Sequence, residues 1–417
     1  MVRFSLALQL VSALVLGAIV GVVLGKDAEP LGEVGLVIIR LLKALSIPLI
    51  FFAIIDAFCK TQIPKRKGAK LVFITTINSC VAIIIALTIS NLFPIKDYVD
   101  LEKLKASIAL PVAQSAGAIP TLNLQSILQG FIPTSFFEPF VSNNIIPVIL
   151  LALFLGAALR KLINSQHSDE VVVFQKFIST CFRLITTILG WVIRIIPLAV
   201  FAVIAKTVGL SGFEVFNALG VFVGLVVLGL LVHVFLYYSM LLVFFVHESP
   251  MKFLKKGSEP IIAALGTGSS LATLPVTLKT LSEKMKVSDQ SSRLAACIGT
   301  NLNNDGIILY EAVAVIFIAQ LHGVSMDFNQ QISMSMISIA AAAGIAGIPE
   351  AGFITLSLVV GAVGLPLSTV PLLLPVDWFL GRLRAATNVT SDMIVATLLD
   401  RAGSKSKRFS FSSSKGR

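Results

Sequence analysis

Between Asp377 and Asp392 the sequence reads DWFLGRLRAATNVTSD, with Asp377, Gly381, Arg384, Asn388 and Asp392 at i, i+4, i+7, i+11 and i+15. A helix turns by about 100° per residue, so this spacing gathers a guanidinium, two carboxylates and an amide into one narrow polar stripe. An arginine presents a planar fork of donors that matches a carboxylate. A second constellation, GTNLNNDGIILYE from Gly299 to Glu311, sets Asn303, Asn304, Asp305 and Gly306 side by side. These are poor helix formers whose short side chains compete for backbone hydrogen bonds, so the pattern predicts local unwinding, with carbonyl oxygens released beside a carboxylate. Hard cations prefer oxygen ligands of this kind, and with Asn388 and Asp392 the group reads as a sodium cage. The plainer alternative is a structural ion-pair network in which Arg384 neutralises Asp377 or Asp392.

The elements that carry these residues are intensely apolar. The 417 residues are 56% hydrophobic and 13% charged, with a mean hydropathy of +0.92. That is about half the charge of a soluble domain. Stretches such as FSLALQLVSALVLGAIVGVVLG reach the roughly 20 apolar residues that cross a bilayer as a helix, and this first one is too long for a signal peptide. Six long spans are expected at about 4–25, 34–58, 69–94, 134–160, 173–207 and 214–247. Charges at membrane depth cost several kcal/mol each, so the polar stripe must face protein or a water-filled cavity and marks an ion or substrate path. The net charge of +11 lies in short segments between apolar runs rather than on one soluble face, which argues against nucleic acid. Basic clusters after the second, sixth and last spans place both termini in the cytoplasm, in a multi-pass protein of the cell membrane. The four cysteines, Cys59, Cys80, Cys181 and Cys297, have no metal-site spacing and read as small buried apolar residues.

After the sixth span the pattern changes. EPIIAALGTGSSLATLPVTLKT (259–280) and ISIAAAAGIAGIPEAGFITL (337–356) are apolar stretches interrupted by small residues and proline, and each precedes a long helix with polar residues at mid-depth. Paired interrupted segments are what an inverted-repeat transporter shows where its broken helices meet.

Four motifs, NNDG, GTGSSLATLPVT, GIAGIPEAG and VDWFLGRLRAATNV, resemble the glutamate transporter family of dicarboxylate/amino acid:cation symporters, from about Leu8 to Asp400. The inverted-repeat pattern is itself exemplified by this family and adds no independent support. The resemblance implies an all-α polytopic membrane protein of eight transmembrane helices and two re-entrant hairpins, working as a homotrimer by an elevator movement. Helices one and two (1–68) and four and five (134–207) would form the scaffold. Helix three (69–94) and residues 214–400 would form the transport domain: helix six, hairpin one (250–283), helix seven (290–322), hairpin two (330–365) and helix eight (368–400). The tail 401–417 is basic, of low complexity, and expected to be disordered.

By the same resemblance the cofactors are coupling sodium ions. Gly299, Thr300, Asn303, Asn388 and Asp392 match one sodium site, and Asp305 with Asn78 and Ser79 another. Carbonyls near Ala342, Ala343 and Ile345 would form a third. The substrate would meet Ser269, Ser270, Gly347, Gly381, Arg382, Arg384, Ala385 and Asn388, with Arg384 on its distal carboxylate. Glu311 matches the glutamate linked to proton or potassium coupling in animal members, and Arg382 also fits that branch. Amino-acid carriers usually have Asp where this chain has Gly381, and that carboxylate accepts the substrate ammonium. The expectation is therefore a non-enzymatic sodium symporter for a small dicarboxylate such as succinate, malate or fumarate. The alternatives are an amino acid:sodium symporter and, more remotely, an anion channel lined by Arg382 and Arg384.

Overall fold

The computed structural model describes residues 6–60, 65–100, 133, 135–141, 145–163, 168–343 and 351–413, and all regular structure among them is helical. Helices α1 (Leu6–Leu24), α2 (Leu31–Lys60) and α3 (Lys65–Leu92) come first. A short turn, Glu138–Val141, precedes α4 (Ile145–Ile163), and α5 (Ser168–Ser211) follows. The helix α6 (Glu214–Val232) continues through two wider π-turns, His233–Tyr238 and Leu242–Val246. Four of the described helical segments are long and apolar enough to cross a membrane: Leu8–Ala28, Lys67–Asp97, Glu170–Val192 and Val215–Val246. A helix satisfies all its backbone groups internally, which is what hydrocarbon requires of a spanning segment. Large apolar side chains such as Val23, Phe154, Trp191 and Phe244 are correspondingly exposed on its outer surface.

The chain then breaks up as the sequence predicts. The first hairpin pairs α7 (Ser258–Thr267) with α8 (Leu274–Glu283). Gly268 closes α7 at φ 66°, a left-handed conformation that glycine adopts without steric cost. At the base of the hairpin Lys284 Nζ lies 2.7 Å from Glu259, which holds that exposed carboxyl below its ordinary pKa. Next come a turn at Asp289–Arg293, a π-turn at Leu294–Ile298 and a 3-10 turn at Gly299–Asn301. Residues 302–304 are non-helical before α9 (Asp305–Leu321) begins, so the predicted unwinding is present. The second hairpin has arms α10 (Phe328–Ala343) and α11 (Ala351–Ala362), and α12 runs from Leu374 to Ser413. This last helix continues through much of the segment expected to be a disordered tail.

Two large cores, with a small cluster of Ile83, Ile308 and Ala342 beside them, organise the packing. The larger joins α1, α2, the second half of α3, α4, α5 and the start of α6 to α9, both arms of the second hairpin and the start of α12. The smaller joins the start of α3, the end of α6, the first hairpin, the interrupted segment before α9 and the C-terminal half of α12. Within the larger core α1 lies directly on α5: a Cβ at Gly17 or Gly21 would fall 2.7 Å from the Phe201 carbonyl oxygen or 2.6 Å from that of Ala205. Lipid gives helices no hydrophobic reason to associate, so close backbone approach at small residues supplies the packing. Ile308–Ala319 are buried without interruption, so α9 is enclosed by protein on every side. The cysteines depart from expectation, since Cys80 is exposed and the other three are half-buried. On the outer surface of a bilayer-spanning helix, a small apolar side chain is as well placed against lipid as in a core.

Candidate substrate and cation site

The polar stripe of α12 faces inward. Asp377 (2% exposed), Arg384 (4%), Asn388 (3%) and Asp392 (3%) are all buried. At its upper end Arg384 Nη1 donates to Asp377 Oδ1 at 2.7 Å, the ion pair that the sequence left open as an alternative. The guanidinium is held on both faces. Its carbon lies 4.0 Å from the centre of the Tyr310 ring, and a Cβ at Gly352 of α11 would come within 2.8 Å of it. Only a glycine lets the second hairpin lie this close to the arginine. Gly381 is next to the same group, its would-be Cβ 3.2 Å from Arg384 Nη2. The second oxygen of Asp377 has no hydrogen-bond partner among the described residues.

One turn further along, Asn388 Oδ1 accepts the backbone N–H of Gly306 at 2.8 Å. A Cβ on Gly306 would sit 2.9 Å from the Arg384 carbonyl oxygen, so this glycine is what permits α9 to start against α12. Asn303 Nδ2 donates to Asp392 Oδ1 at 3.0 Å, and the Thr300 hydroxyl lies beside the same carboxylate. Thr300 and Asn303 thus flank Asp392, with Asn388 one turn away on α12 against Gly306 and Asn304, and Gly299 next to Thr300 in the chain. This donor set, a buried carboxylate with amide, hydroxyl and carbonyl oxygens, fits a hard monovalent cation.

Asp305 and Asn78 form an adjoining cluster. Asp305 Oδ2 accepts from the Tyr238 hydroxyl at 2.8 Å and lies 2.8 Å from Ser391 Oγ and 3.4 Å from His233 Nε2. Asn78 Oδ1 accepts from the Tyr237 hydroxyl at 2.7 Å, and its amide nitrogen is 3.3 Å from Asn303 Oδ1. Ser79 is buried on the same helix. Asp305 Oδ1 is buried and has no partner among the described residues, an orphaned carboxylate oxygen that a cation would satisfy.

Other expected site residues are placed differently. Ser269 and Ser270 sit half-buried in the turn of the first hairpin, and no hydrogen bond joins them to Arg384 among the described residues. Arg382 points away from Arg384: its Nη1 donates to the Leu265 and Gly266 carbonyls, at 3.0 and 2.5 Å, closing the end of α7. Ala385 is buried within the smaller core. The Ala342 carbonyl accepts from Asn304 Nδ2 at 2.9 Å, tying the second hairpin to the interrupted segment. Ala343 ends α10, and Ile345 and Gly347 lie outside the described residues. Glu311 is wholly buried beside the Thr355 and Ser338 hydroxyls and Arg384. Sequence reasoning missed His233, Tyr237, Tyr238 and Ser391. The available signals were a lone histidine and paired tyrosines in the apolar run LLVHVFLYY, and a serine immediately before Asp392.

The profile of the sodium:dicarboxylate symporter family matches residues 6–402, which takes in every element of these clusters. The chain belongs to that family. Excitatory amino acid transporter 3 of Mus musculus is 32% identical over 263 residues, covering 63% of this chain and 49% of that protein. Excitatory amino acid transporter 1 of Ambystoma tigrinum is 41% identical over 182 residues, 44% of this chain and 34% of that protein. The same transporter of Bos taurus is 37% identical over 229 residues, 54% and 42% of the two chains. The chain thus spans half or less of the length of these curated relatives.

Proposed function

We propose that this chain is a secondary active symporter that couples sodium entry to uptake of a small acidic substrate, with an acidic amino acid as the leading substrate class. The single observation that carries the reading is the buried Arg384 guanidinium, set between Tyr310 and Gly352 and adjoining the Asp392 and Asp305 clusters. A charge in that position is costly unless an anion is its purpose or its partner. Substrate carboxylate would take the place of Asp377 on the fork, and cations in the two carboxylate clusters would offset the added negative charge. The relatives favour the amino acid alternative over the dicarboxylate expected at Gly381. Asp377, released from Arg384 and one helical turn from Gly381, is our candidate for the ammonium's partner. The dicarboxylate reading keeps one observation in its favour, the missing carboxylate at Gly381 itself.

The reading extends to the assembly. A homotrimer in the cell membrane, both termini cytoplasmic, and an elevator movement of the first hairpin, α9, the second hairpin and α12 against α1, α2, α4 and α5 are supported by family membership. Counterflow in proteoliposomes, comparing aspartate, serine, succinate, malate and fumarate with and without sodium, tests the proposal. Sodium-dependent exchange strongest with aspartate is expected. Preference for succinate would move the assignment to dicarboxylates, and no sodium-dependent exchange with any of them would end the symport reading.

A further inference from the structure

The π-turn His233–Tyr238 is the first of the two that continue the apolar helix α6, and all three of its polar side chains reach the Asp305 cluster. In an α-helix residues five apart point in directions about 140° apart, so His233 and Tyr238 would diverge. An i→i+5 turn brings them back onto one face, and such turns recur at functional sites. Here the His233 ring centre is 5.1 Å from that of Tyr237 and 4.6 Å from that of Tyr238. The fan of rings faces α3, α9 and α12 together.

The hydrogen bonds run in one direction. The Tyr237 hydroxyl donates to Asn78 Oδ1 at 2.7 Å, Asn78 Nδ2 to Ser391 Oγ at 3.2 Å, and Ser391 Oγ is 2.8 Å from Asp305 Oδ2. The Tyr238 hydroxyl donates to that same oxygen, also at 2.8 Å. His233 and Asp305 are both fully buried, and His233 Nε2 approaches Oδ2 as well, at 3.4 Å. Every protein donor thus converges on Oδ2, while Oδ1 of the same carboxylate receives none among the described residues. Donors beyond the ligands fix the orientation of a ligating carboxylate and thereby its affinity for metal.

Resting on the sodium-coupled reading, we propose that Tyr238 and Ser391, presented by this π-turn and by α12, are positioning residues for the Asp305 cation site. They hold the carboxylate by Oδ2 so that Oδ1 is the oxygen turned to the ion. Tyr237 does the same for Asn78, the amide that links this cluster to Asn303 and the neighbouring site. The chemistry requires a hydroxyl at 238 and not merely a ring.

The test is the sodium dependence of thermal unfolding of the purified full chain in detergent, compared with the unaltered protein. Tyr238→Phe keeps the ring and removes the donor. It is expected to raise the sodium concentration for half-maximal stabilisation at least fivefold, with Ser391→Ala acting in the same direction and Ser391→Thr restoring most of the loss. Substrate KM at saturating sodium is expected to change less than twofold. An equal drop in melting temperature with and without sodium, at an unchanged half-point, overturns the proposal and leaves Tyr238 a packing residue. If Tyr238→Phe does not fold, the Ser391 pair decides by the same criterion. Absence of any sodium stabilisation in the unaltered chain would instead contradict the sodium-coupled reading itself.

Discussion

Arg384 is where the account is most exposed to a single substitution. Its fork makes one bond to Asp377 and is gripped between a tyrosine ring and a glycine, so its orientation is fixed before substrate arrives. Lysine retains the charge but presents a point donor with no planar face to stack on Tyr310. Arg384→Lys is expected to weaken acidic-substrate binding by about tenfold or more, equivalent to roughly 1.4 kcal/mol, read by competition binding at saturating sodium. Unchanged affinity would give the arginine a purely structural role with Asp377. The stripe that carries Arg384 was fully legible, because helical periodicity alone gathers Asp377, Arg384, Asn388 and Asp392. The donors around Asp305 were not, because Tyr237, Tyr238 and His233 sit in an apolar run whose register depends on a π-turn. Period-3.6 reasoning keeps His233 and Tyr237 on one face but turns Tyr238 about 140° away from His233.

At the scale of elements, the interruption before α9 carries the site. Asn303, Asn304 and Gly306 announce it in sequence, and the structure leaves 302–304 non-helical there, with Asn304 reaching the second hairpin through the Ala342 carbonyl. Gly306 is the residue without slack, since its would-be Cβ meets the Arg384 carbonyl oxygen at 2.9 Å and its Cα at 3.0 Å. Backbone cannot move aside as a flexible side chain can. Overpacking of this kind costs about 1–3 kcal/mol, so Gly306→Ala is expected to lower the melting temperature and to weaken stabilisation by sodium as α9 is pushed from Asn388. An unaltered melting curve would show that the crossing is looser than these distances imply. The boundaries of long helices were less legible than the interruptions. Ser168–Ser211 extends beyond the expected 173–207 at both ends, and the last helix runs past 400 to Ser413 while starting at Leu374, after a 3-10 turn at Leu367–Leu373, because hydropathy reports the membrane segment and not the turns at its ends.

For the whole molecule, the two main cores do not follow the division that the resemblance implies: α1, α2, α4 and α5 share the larger one with the second half of α3, the start of α6, α9, both arms of the second hairpin and the start of α12, while the first hairpin and the end of α12 lie in the smaller. The first residues of α9 carry the polar clusters, and most of its length is packed in the larger core. An elevator movement would have to carry α9 with the smaller core, across contacts that sequence patterning does not distinguish from permanent packing. The proposed homotrimer predicts a protein mass of three 44.5 kDa chains in detergent, read by native mass spectrometry. A monomer that retains full transport would remove the trimer from the mechanism.

The central claim, sodium-coupled movement of a small acidic substrate, is tested most directly by accumulation of labelled aspartate in proteoliposomes under an inward sodium gradient. The account predicts uptake above the external concentration that collapses when the gradient is abolished, and that Asp392→Asn reduces because the variant removes a carboxylate that offsets cation charge. Uptake that only equilibrates, with or without the gradient, would contradict it and describe a passive pathway.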